Sequence, residues 1–403
     1  MKVLIVNKFL YPNGGSETYI FQIGRQLQKM GHDVEYFGME HEGRIVGNHA
    51  HSYTSDMDFH TGGIQKLLYP FRIIYSLEAR KKIRLVLDDL QPDVVHLNNI
   101  NFQITPSVIY EIRKWERQRK RRVAIIYTAH DYQWVCPNHM MMIPATGEKC
   151  FRCEDARYGE CSKNKCIHNS RMKSILGTME AQLYRLLKTY RRVDCIICPS
   201  RFMAEKLSTN PLLAGKLITL YNFLDKEKPE QVEKKDYVLY FGRYSEEKGV
   251  RTLLKACEQL PEIQFLFAGG GPLKEKLAEC SNVRDLGFLN AEELRKVISE
   301  ARFSVFPSEW YENCPFAVME TQQYGTPVIA ADIGGVPELI RDGVTGCLFE
   351  PGNTEQLVSR IRELWENPEL LKKYTDNCVG VMFDTTEIYC QKVITIYREA
   401  LHE

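Results

Sequence analysis

The feature that most constrains this chain is a twice-repeated alternation of short apolar runs with amphipathic stretches. KVLIVN opens it, the turn YPNGGSET follows, and TYIFQIGRQLQKMGH then carries apolar residues at helical spacing. The pattern returns as HDVEYFGM, DVVHLNN, VAIIYTAHD, DCIICPS with the helical RFMAEKL, and LITLYN. A second series runs through YVLYFGR, IQFLFAGGG, VRDLGFL, FSVFPS, PVIAAD and GCLFE. Strands that are apolar along their length, each feeding a helix, predict parallel sheets covered on both faces. The expected fold is therefore α/β: two doubly wound, Rossmann-like domains facing a cleft, with ligands at the carboxyl ends of the strands. The length of 403 residues agrees, being too long for one core and suited to two domains of about 150 to 200 residues. Between the two series, DKEKPEQVEKKD has charge but no apolar period and predicts a linker over 223–236. The domains are then 1–222 and 237–385, followed by a segment of helical period, TTEIYCQKVITIYREALHE.

Ordinary globular values of 44% hydrophobic and 26% charged residues exclude disordered, collagen-like and coiled-coil chains. The net charge of +1 conceals an asymmetry. Residues 1–222 carry 32 Lys and Arg against 21 Asp and Glu, and the remainder 21 against 31. A basic half can meet nucleic acid, anionic lipid or an acidic substrate. No nucleic-acid recognition motif accompanies the charge, so nucleic acid is not expected as a partner. The basic stretches YEIRKWERQRKRR (110–122), with Ile112 and Trp115 able to dip into an interface, and LLYPFRIIYSLEARKKIR (67–84) read as membrane-surface contacts or as solvated helix faces. No apolar run approaches the roughly 18 residues of a membrane span, and the opening run is too short for a signal peptide. The expected location is cytoplasmic, peripheral at the inner membrane face if the basic helices dock there.

Three motifs in the second half suit a phosphate-bearing ligand. In Phe241-Gly242-Arg243-Tyr244-Ser245-Glu246-Glu247-Lys248-Gly249, directly after a strand, Arg243 offers a bidentate fork and Lys248 a point charge; a solvated loop is the alternative. Ala268-Gly269-Gly270-Gly271-Pro272 is either a phosphate cradle or a tight turn, and it lacks dinucleotide-fingerprint spacing. The third runs from Pro307 through Glu312-Asn313-Cys314-Pro315-Phe316 to Glu320, and on to Gly334-Gly335-Val336-Pro337. A helix beginning near Pro315 would turn its N-terminus toward an anion. Glu312 and Glu320 are expected on one face, about 12 Å apart by helical rise, a separation that suits two ends of an extended ligand better than a hydrolase pair.

Together these residues, with GTPVIAADIGGVPELIRDGVTGCLFEPGN, resemble glycosyltransferase family 4, retaining enzymes of the GT-B fold found in cell-surface polysaccharide synthesis. The likeness spans nearly the whole chain and is most specific from Tyr237 to Asn353. It implies transfer of a sugar from a nucleotide-diphosphate donor, such as a UDP or GDP sugar, to a glycan or lipid-linked acceptor hydroxyl, with no cofactor needed for catalysis. By position, Arg243 and Lys248 would neutralise the diphosphate, Glu312 would hold sugar hydroxyls, and Glu320 the ribose. The backbone of Gly287, Phe288 and Leu289 would face the base. Asn313-Cys314-Pro315-Phe316 stands where the commonest pattern has Gly-Phe-Gly-Leu, and Pro315 has no N–H to donate. The amides of Cys314 and Phe316 are still expected to face the donor. In the first half, Gly14 and Gly15 resemble the family's Gly-Gly loop near the donor phosphate, with Glu17 toward the acceptor. Thr128-Ala129-His130-Asp131 resembles its active-site histidine segment, so His130 would orient donor sugar and reacting hydroxyl. The resembled fold brings its last helix, here 386–403, back onto the first domain. Competing readings are another GT-B activity, such as a nucleotide-sugar epimerase, and a non-catalytic sugar-binding partner subunit.

Five of the 13 cysteines fall within 136–166. Cys150-Phe151-Arg152-Cys153 is a CxxC knuckle, and Cys136 with Cys166, or Cys161 in its place, completes a candidate structural zinc set; His139 and His168 lie nearby. Free thiols in an insertion are the alternative.

Overall fold

The computed structural model describes residues 1–55, 73–225 and 232–402. They form two compact units. Unit 1 comprises Met1–Tyr221 with Thr386–Glu403, and unit 2 comprises Asn222–Thr385.

Unit 1 is built on β1 (Lys2–Val6), β2 (Asp33–Phe37), β3 (Val94–Leu97) and β4 (Ala124–Thr128). A short antiparallel hairpin, β5 (Met142–Ile143) with β6 (Glu148–Lys149), stands apart, and β7 (Cys195–Cys198) and β8 (Leu217–Thr219) complete the main sheet. Its order is β2-β1-β3-β4-β7-β8, every neighbour parallel. The central strands β3, β4 and β7 are buried at every residue, as a sheet covered on both faces requires. Unit 2 repeats the plan with β9 (Lys235–Arg243), β10 (Phe265–Gly270), β11 (Val283–Gly287), β12 (Ala301–Phe306), β13 (Val328–Ala331) and β14 (Gly346–Phe349). These lie parallel in the order β11-β10-β9-β12-β13-β14. In each sheet the order reverses once, between β1 and β3 and between β9 and β12, and such switch points are where open α/β sheets form ligand crevices.

Helix starts follow local chemistry. Ser76, Ser170 and Ser200 each accept a backbone N–H from the first turn of the helix they precede, and Asn290 with Glu293 forms a capping box. The glycines 269 and 271 serve close packing rather than an open cradle: a Cβ would lie 2.0 Å from the Gly242 oxygen in the first case and 2.5 Å from the Tyr244 oxygen in the second.

Two expectations need correction. The charged stretch 223–236 is no tether where it is described. Asn222 and Asp225 bond unit 2, Lys234 Nζ donates to the Ser299 carbonyl (2.8 Å) and Thr326 Oγ1 (2.6 Å), and β9 already begins at Lys235. Residues 226–231 lie outside the described residues. The basic stretch 110–122 does not offer Ile112 and Trp115 to a membrane, because both are buried between helices Leu77–Leu90 and Ser107–Arg119 and the sheet. Burying Ile112 alone is worth about 1.5 to 3 kcal/mol, so that face stays inward. Several arginines of the two basic stretches are paired too. Arg80 (2.7 Å) and Arg84 (3.4 Å) meet Glu111, Arg119 meets Asp88 (2.8 Å), and Arg113 (2.6 Å) and Arg122 (3.1 Å) meet Asp194. Against the upward push of burial, Arg119, Arg84 and the Trp115 N–H hold the Asp88 carboxyl down to about 2. Of the second basic stretch, residues 67–72 lie outside the described residues. No helix among the described residues is long and apolar enough to cross a membrane.

Candidate active site

In unit 2 the loops leaving β9 and β12 meet at one carboxylate. β9 ends on Arg243, and a single 3-10 turn, Glu246–Lys248, follows. Lys248 Nζ donates to Glu312 Oε1 at 2.6 Å, and Ser308 Oγ and Trp310 Nε1 each donate to the same oxygen at 2.7 Å. The Lys248 ammonium also lies 4.8 Å from the Trp310 ring centre. Glu312 is buried, yet its charge is balanced by Lys248 and one oxygen is saturated. Oε2 has no hydrogen bond among the described residues. The backbone of Glu312 is pinned as tightly: Gly335 N donates to its carbonyl at 2.8 Å, and Gly334, at φ +61°, is so close that a Cβ would stand 2.2 Å from that oxygen. Only glycine fits there.

Arg243 is exposed, and its guanidinium has no partner among the described residues. Glu320 is half-buried, its carboxyl has no hydrogen bond or ion pair among the described residues, and burial pushes that carboxyl up to about 7. The helix carrying it runs Phe316–Gln323 with Pro315 as its cap, so Glu312 lies in the preceding loop. The helical spacing expected between the two carboxylates therefore does not apply, since proline fixes the helix start three residues past Glu312. Cys314 is buried and its thiol pushed up to about 12 by burial; Asn222 donates to its sulfur at 3.3 Å and to its carbonyl at 2.7 Å. Asn313 is half-buried beside it, and the Phe316 ring meets Phe223 edge-on at 6.1 Å. At the end of β11, Gly287 N donates to Asp285 Oδ1 at 2.9 Å, the Phe288 side chain is 87% exposed, and Leu289 is half-buried.

In unit 1 the corresponding reversal lies between β1 and β3. Gly14 and Gly15 are exposed at the start of helix Gly15–Lys29, whose first amides have no intrahelical acceptor and carry the positive dipole end. Glu17 is 1% exposed and bonded through Oε1 to Asn7 Nδ2 (2.9 Å) and Ser16 Oγ (3.0 Å), so it braces the glycine turn instead of facing solvent. Asn99 extends the brace, its amide side chain donating to Ser16 Oγ at 2.9 Å. After β4, His130 Nε2 lies 2.9 Å from Asn98 Oδ1. The Asn98 amide nitrogen is turned to the Val6 and His96 carbonyls, which directs Oδ1 to the ring and puts the single imidazole proton on Nε2. Burial lowers His130 to about 4 against the opposing charge of Asp131, so the ring is neutral at pH 7. Beneath it runs a buried polar chain. Tyr397 OH meets His96 Nδ1 (2.6 Å), His96 Nε2 meets Thr128 Oγ1 (2.7 Å), and Tyr19 OH joins Thr128 (3.1 Å) to Tyr389 OH (2.9 Å). Sequence reasoning assigned no role to Ser308, Trp310, Asn7, Asn98 or Asn99. The asparagines were signalled by their position, polar residues at the carboxyl ends of the apolar runs KVLIV (Asn7) and DVVHL (Asn98 and Asn99).

The described sites lie within regions that known families share. The profile described as "Glycosyltransferase Family 4" matches residues 13–228, and that described as "Glycosyl transferases group 1" matches residues 222–378. Alpha-D-kanosaminyltransferase of Streptomyces kanamyceticus is 34% identical over 151 residues, 35% of this chain and 39% of that protein. An uncharacterized 42.6 kDa protein in the cps region of Klebsiella pneumoniae is 23% identical over 372 residues, 85% of this chain and 88% of its own. This chain spans only 39 to 59% of the length of the first four curated relatives it matches. Among solved structures, Anabaena Alr3699/HepE in complex with UDP superimposes with a TM-score of 0.66 at 18% identity, over 99% of this chain and all of that one, a likeness of fold.

Proposed function

Because this chain belongs to glycosyltransferase family 4, we propose that it moves a sugar from a nucleoside-diphosphate donor to an acceptor hydroxyl with retention of the anomeric configuration, in the synthesis of a cell-surface glycan. The observation that carries this reading is the Glu312 hub. A carboxylate with one oxygen saturated by Lys248, Ser308 and Trp310 keeps the other for a sugar hydroxyl. The same ammonium that balances Glu312 can take up charge on a diphosphate, and the Arg243 guanidinium, without a partner among the described residues, adds a bidentate fork. Positive charge aimed at a leaving group is the electrostatic task that usually contributes most to such catalysis. Glu320 would accept from the ribose hydroxyls, and the backbone of Gly287 to Leu289 would meet the base. In unit 1, Gly14 and Gly15 offer helix N-terminal amides to the phosphate, Glu17 acts as a positioning residue, and His130 serves as a neutral hydrogen-bonding ring. Retention without a protein nucleophile is met by front-face substitution. The acceptor oxygen bonds to the anomeric carbon as the carbon–oxygen bond to the diphosphate breaks, and a departing phosphate oxygen takes the hydroxyl proton.

The UDP complex of the Anabaena neighbour makes UDP sugars the first donors to test, with GDP sugars next. The cps-region relative favours a capsular or similar acceptor, as a glycan or a lipid-linked chain. A membrane contact has better support in helix Arg171–Leu186 than in the basic stretches. Met172, Ile175, Met179 and Leu186 form an exposed stripe along it, flanked by exposed Arg171, Lys173, Arg185 and Lys188. An apolar stripe between cations fits an anionic lipid surface. Sedimentation with vesicles containing anionic lipid, lost in Met179→Glu, is the expected behaviour, and equal binding to zwitterionic vesicles would count against it.

A thermal-shift screen over UDP, GDP, ADP and their common sugars tests the donor, because a ligand bound by the native state raises its melting temperature. The stabilising nucleotide sugar should then be turned over, slowly by water and faster with acceptor. Stabilisation without any turnover would point to a sugar-binding subunit, and no stabilisation by any of them would refute the reading.

A further inference from the structure

We propose that the lobe formed by residues 136–166 binds one structural zinc ion through the thiolates of Cys136, Cys150, Cys153 and Cys166. This stands independently of the sugar donor. The cysteines come from three places in the chain, and the fold gathers them. Cys153, Cys161 and Cys166 are buried in one cluster with Ile143, Ala156 and Tyr158, and Cys150 packs against it. Cys136 Sγ donates to Asn138 Oδ1 at 2.8 Å. The CxxC pair follows directly on the β5–β6 hairpin, where Cys150 N donates to the Met141 carbonyl at 2.8 Å, and Asn138 ties the loop after Cys136 to the Cys166 carbonyl at 3.5 Å.

One further observation points to a ligand. The lobe holds non-glycine residues in the left-handed region at His139, Met141, Asp155, Ala156 and Lys165. Each costs on the order of 1 kcal/mol or more, too much for a cluster of a few apolar side chains, and a metal cross-link is the usual remedy in so small a lobe. Histidine ligands are set aside by position, for His139 Nδ1 faces Asp131 Oδ2 at 3.4 Å and His168 is exposed.

The sulfurs are gathered but not drawn to coordination spacing. Among the described residues, the group of three ligand atoms within 4.8 Å of one another is that of Glu35, His49 and Asp89, of which His49 and Asp89 are open to solvent. In a tetrahedral thiolate site the sulfurs stand about 3.8 Å apart, given Zn–S bonds of about 2.3 Å. Binding therefore contracts the cluster: four thiols lose their protons to solvent, four Zn–S bonds form, and the lobe tightens. With four thiolates bound no position remains open for chemistry.

The test is elemental analysis of the full chain purified without chelator from zinc-supplemented medium, with equilibrium dialysis of the stripped protein against zinc. The expected result is about one tightly held zinc per chain, falling to near zero in Cys153→Ser and unchanged in Cys347→Ser, a buried cysteine of β14. Should Cys153→Ser fail to fold, cobalt substitution of the wild type gives a second readout, the absorption bands of a tetrahedral cobalt–thiolate centre. Absence of zinc from the purified protein together with no uptake on dialysis would overturn the proposal. So would a mass two hydrogens low that maps to a Cys161–Cys166 disulfide in the native protein.

Discussion

Replacing Gly334 with alanine isolates the role of the Glu312 hub, because the substitution alters none of the hub's side chains and presses only on the Glu312 backbone. Two costs arise. The first is conformational: a Cβ at φ +61° is disfavoured by roughly 1 to 2 kcal/mol. The second is steric. The Cβ would sit 2.2 Å from the Glu312 carbonyl oxygen, whereas such contacts settle near 3.2 Å, so the Glu312 backbone must retreat by about 1 Å. A displacement of that size in a positioning group costs on the order of 100-fold in rate, equivalent to about 2.7 kcal/mol of transition-state stabilisation. Gly343→Ala is the control: its φ is +71° and nothing lies within 4 Å of its Cβ, so it bears the conformational cost alone. The assay is kcat/KM for release of nucleotide from whichever donor the thermal-shift screen selects, with melting curves of both variants alongside. Gly334→Ala should lose about 100-fold in kcat/KM while Gly343→Ala stays near wild type. Equal turnover in the two variants would refute the assignment of Glu312 to the donor.

Arg243→Ala and Lys248→Ala should each reduce turnover by about 10² to 10³; melting temperature should change little in Arg243→Ala, whose guanidinium has no protein partner among the described residues, and fall in Lys248→Ala, which leaves the buried Glu312 carboxylate without its counter-charge; wild-type turnover in either would exclude it from the diphosphate. Glu320 titrates near 7 in the folded chain against 4.5 unfolded, so the folded state holds an extra proton between those values. Its stabilising contribution is complete below pH 4.5 and disappears as pH rises through 7. Melting temperatures should therefore show Glu320→Gln gaining on wild type between pH 5 and pH 8, and nucleotide affinity of the wild type should rise over that interval and flatten in the variant; parallel curves would contradict this. Tyr397→Phe removes one partner of buried His96 and should cost about 1 to 3 kcal/mol by chemical denaturation, with unchanged nucleotide binding by unit 2; no loss would mean the buried chain contributes nothing to unit 1.

The strands and their parallel arrangement were legible because residues such as Val94, Val95, Ile125 and Ile126 are apolar on both faces, which only a covered sheet explains. Lys248 and Glu312, 64 residues apart, could be brought together only by motif order. What stayed hidden was direction. Helix Ser107–Arg119 advertises its cations, yet Ile112 and Trp115 face inward and Arg113 and Arg119 find carboxylates on other elements, information absent from a local window. The same attention to charge passed over Met172 and Met179, whose exposure depends on what helix Arg171–Leu186 packs against. Glu17 was expected toward the acceptor because nothing in its neighbourhood reveals that Asn7 reaches it across the turn. His96 and Tyr397, 301 positions apart, are joined by a hydrogen bond that no periodicity encodes.

That last bond bears on how the molecule is born. The helix Thr386–His402 packs in unit 1, and its Tyr389 and Tyr397 terminate the hydroxyl and imidazole relay through Tyr19, Thr128 and His96. On a ribosome synthesising from the amino end, residues 222–385 emerge and can settle while the earlier half still lacks its closing piece. The part translated first is thus completed after the second, and until helix Thr386–His402 has left the ribosome, two buried tyrosine partners are missing from beneath the strand that leads to His130.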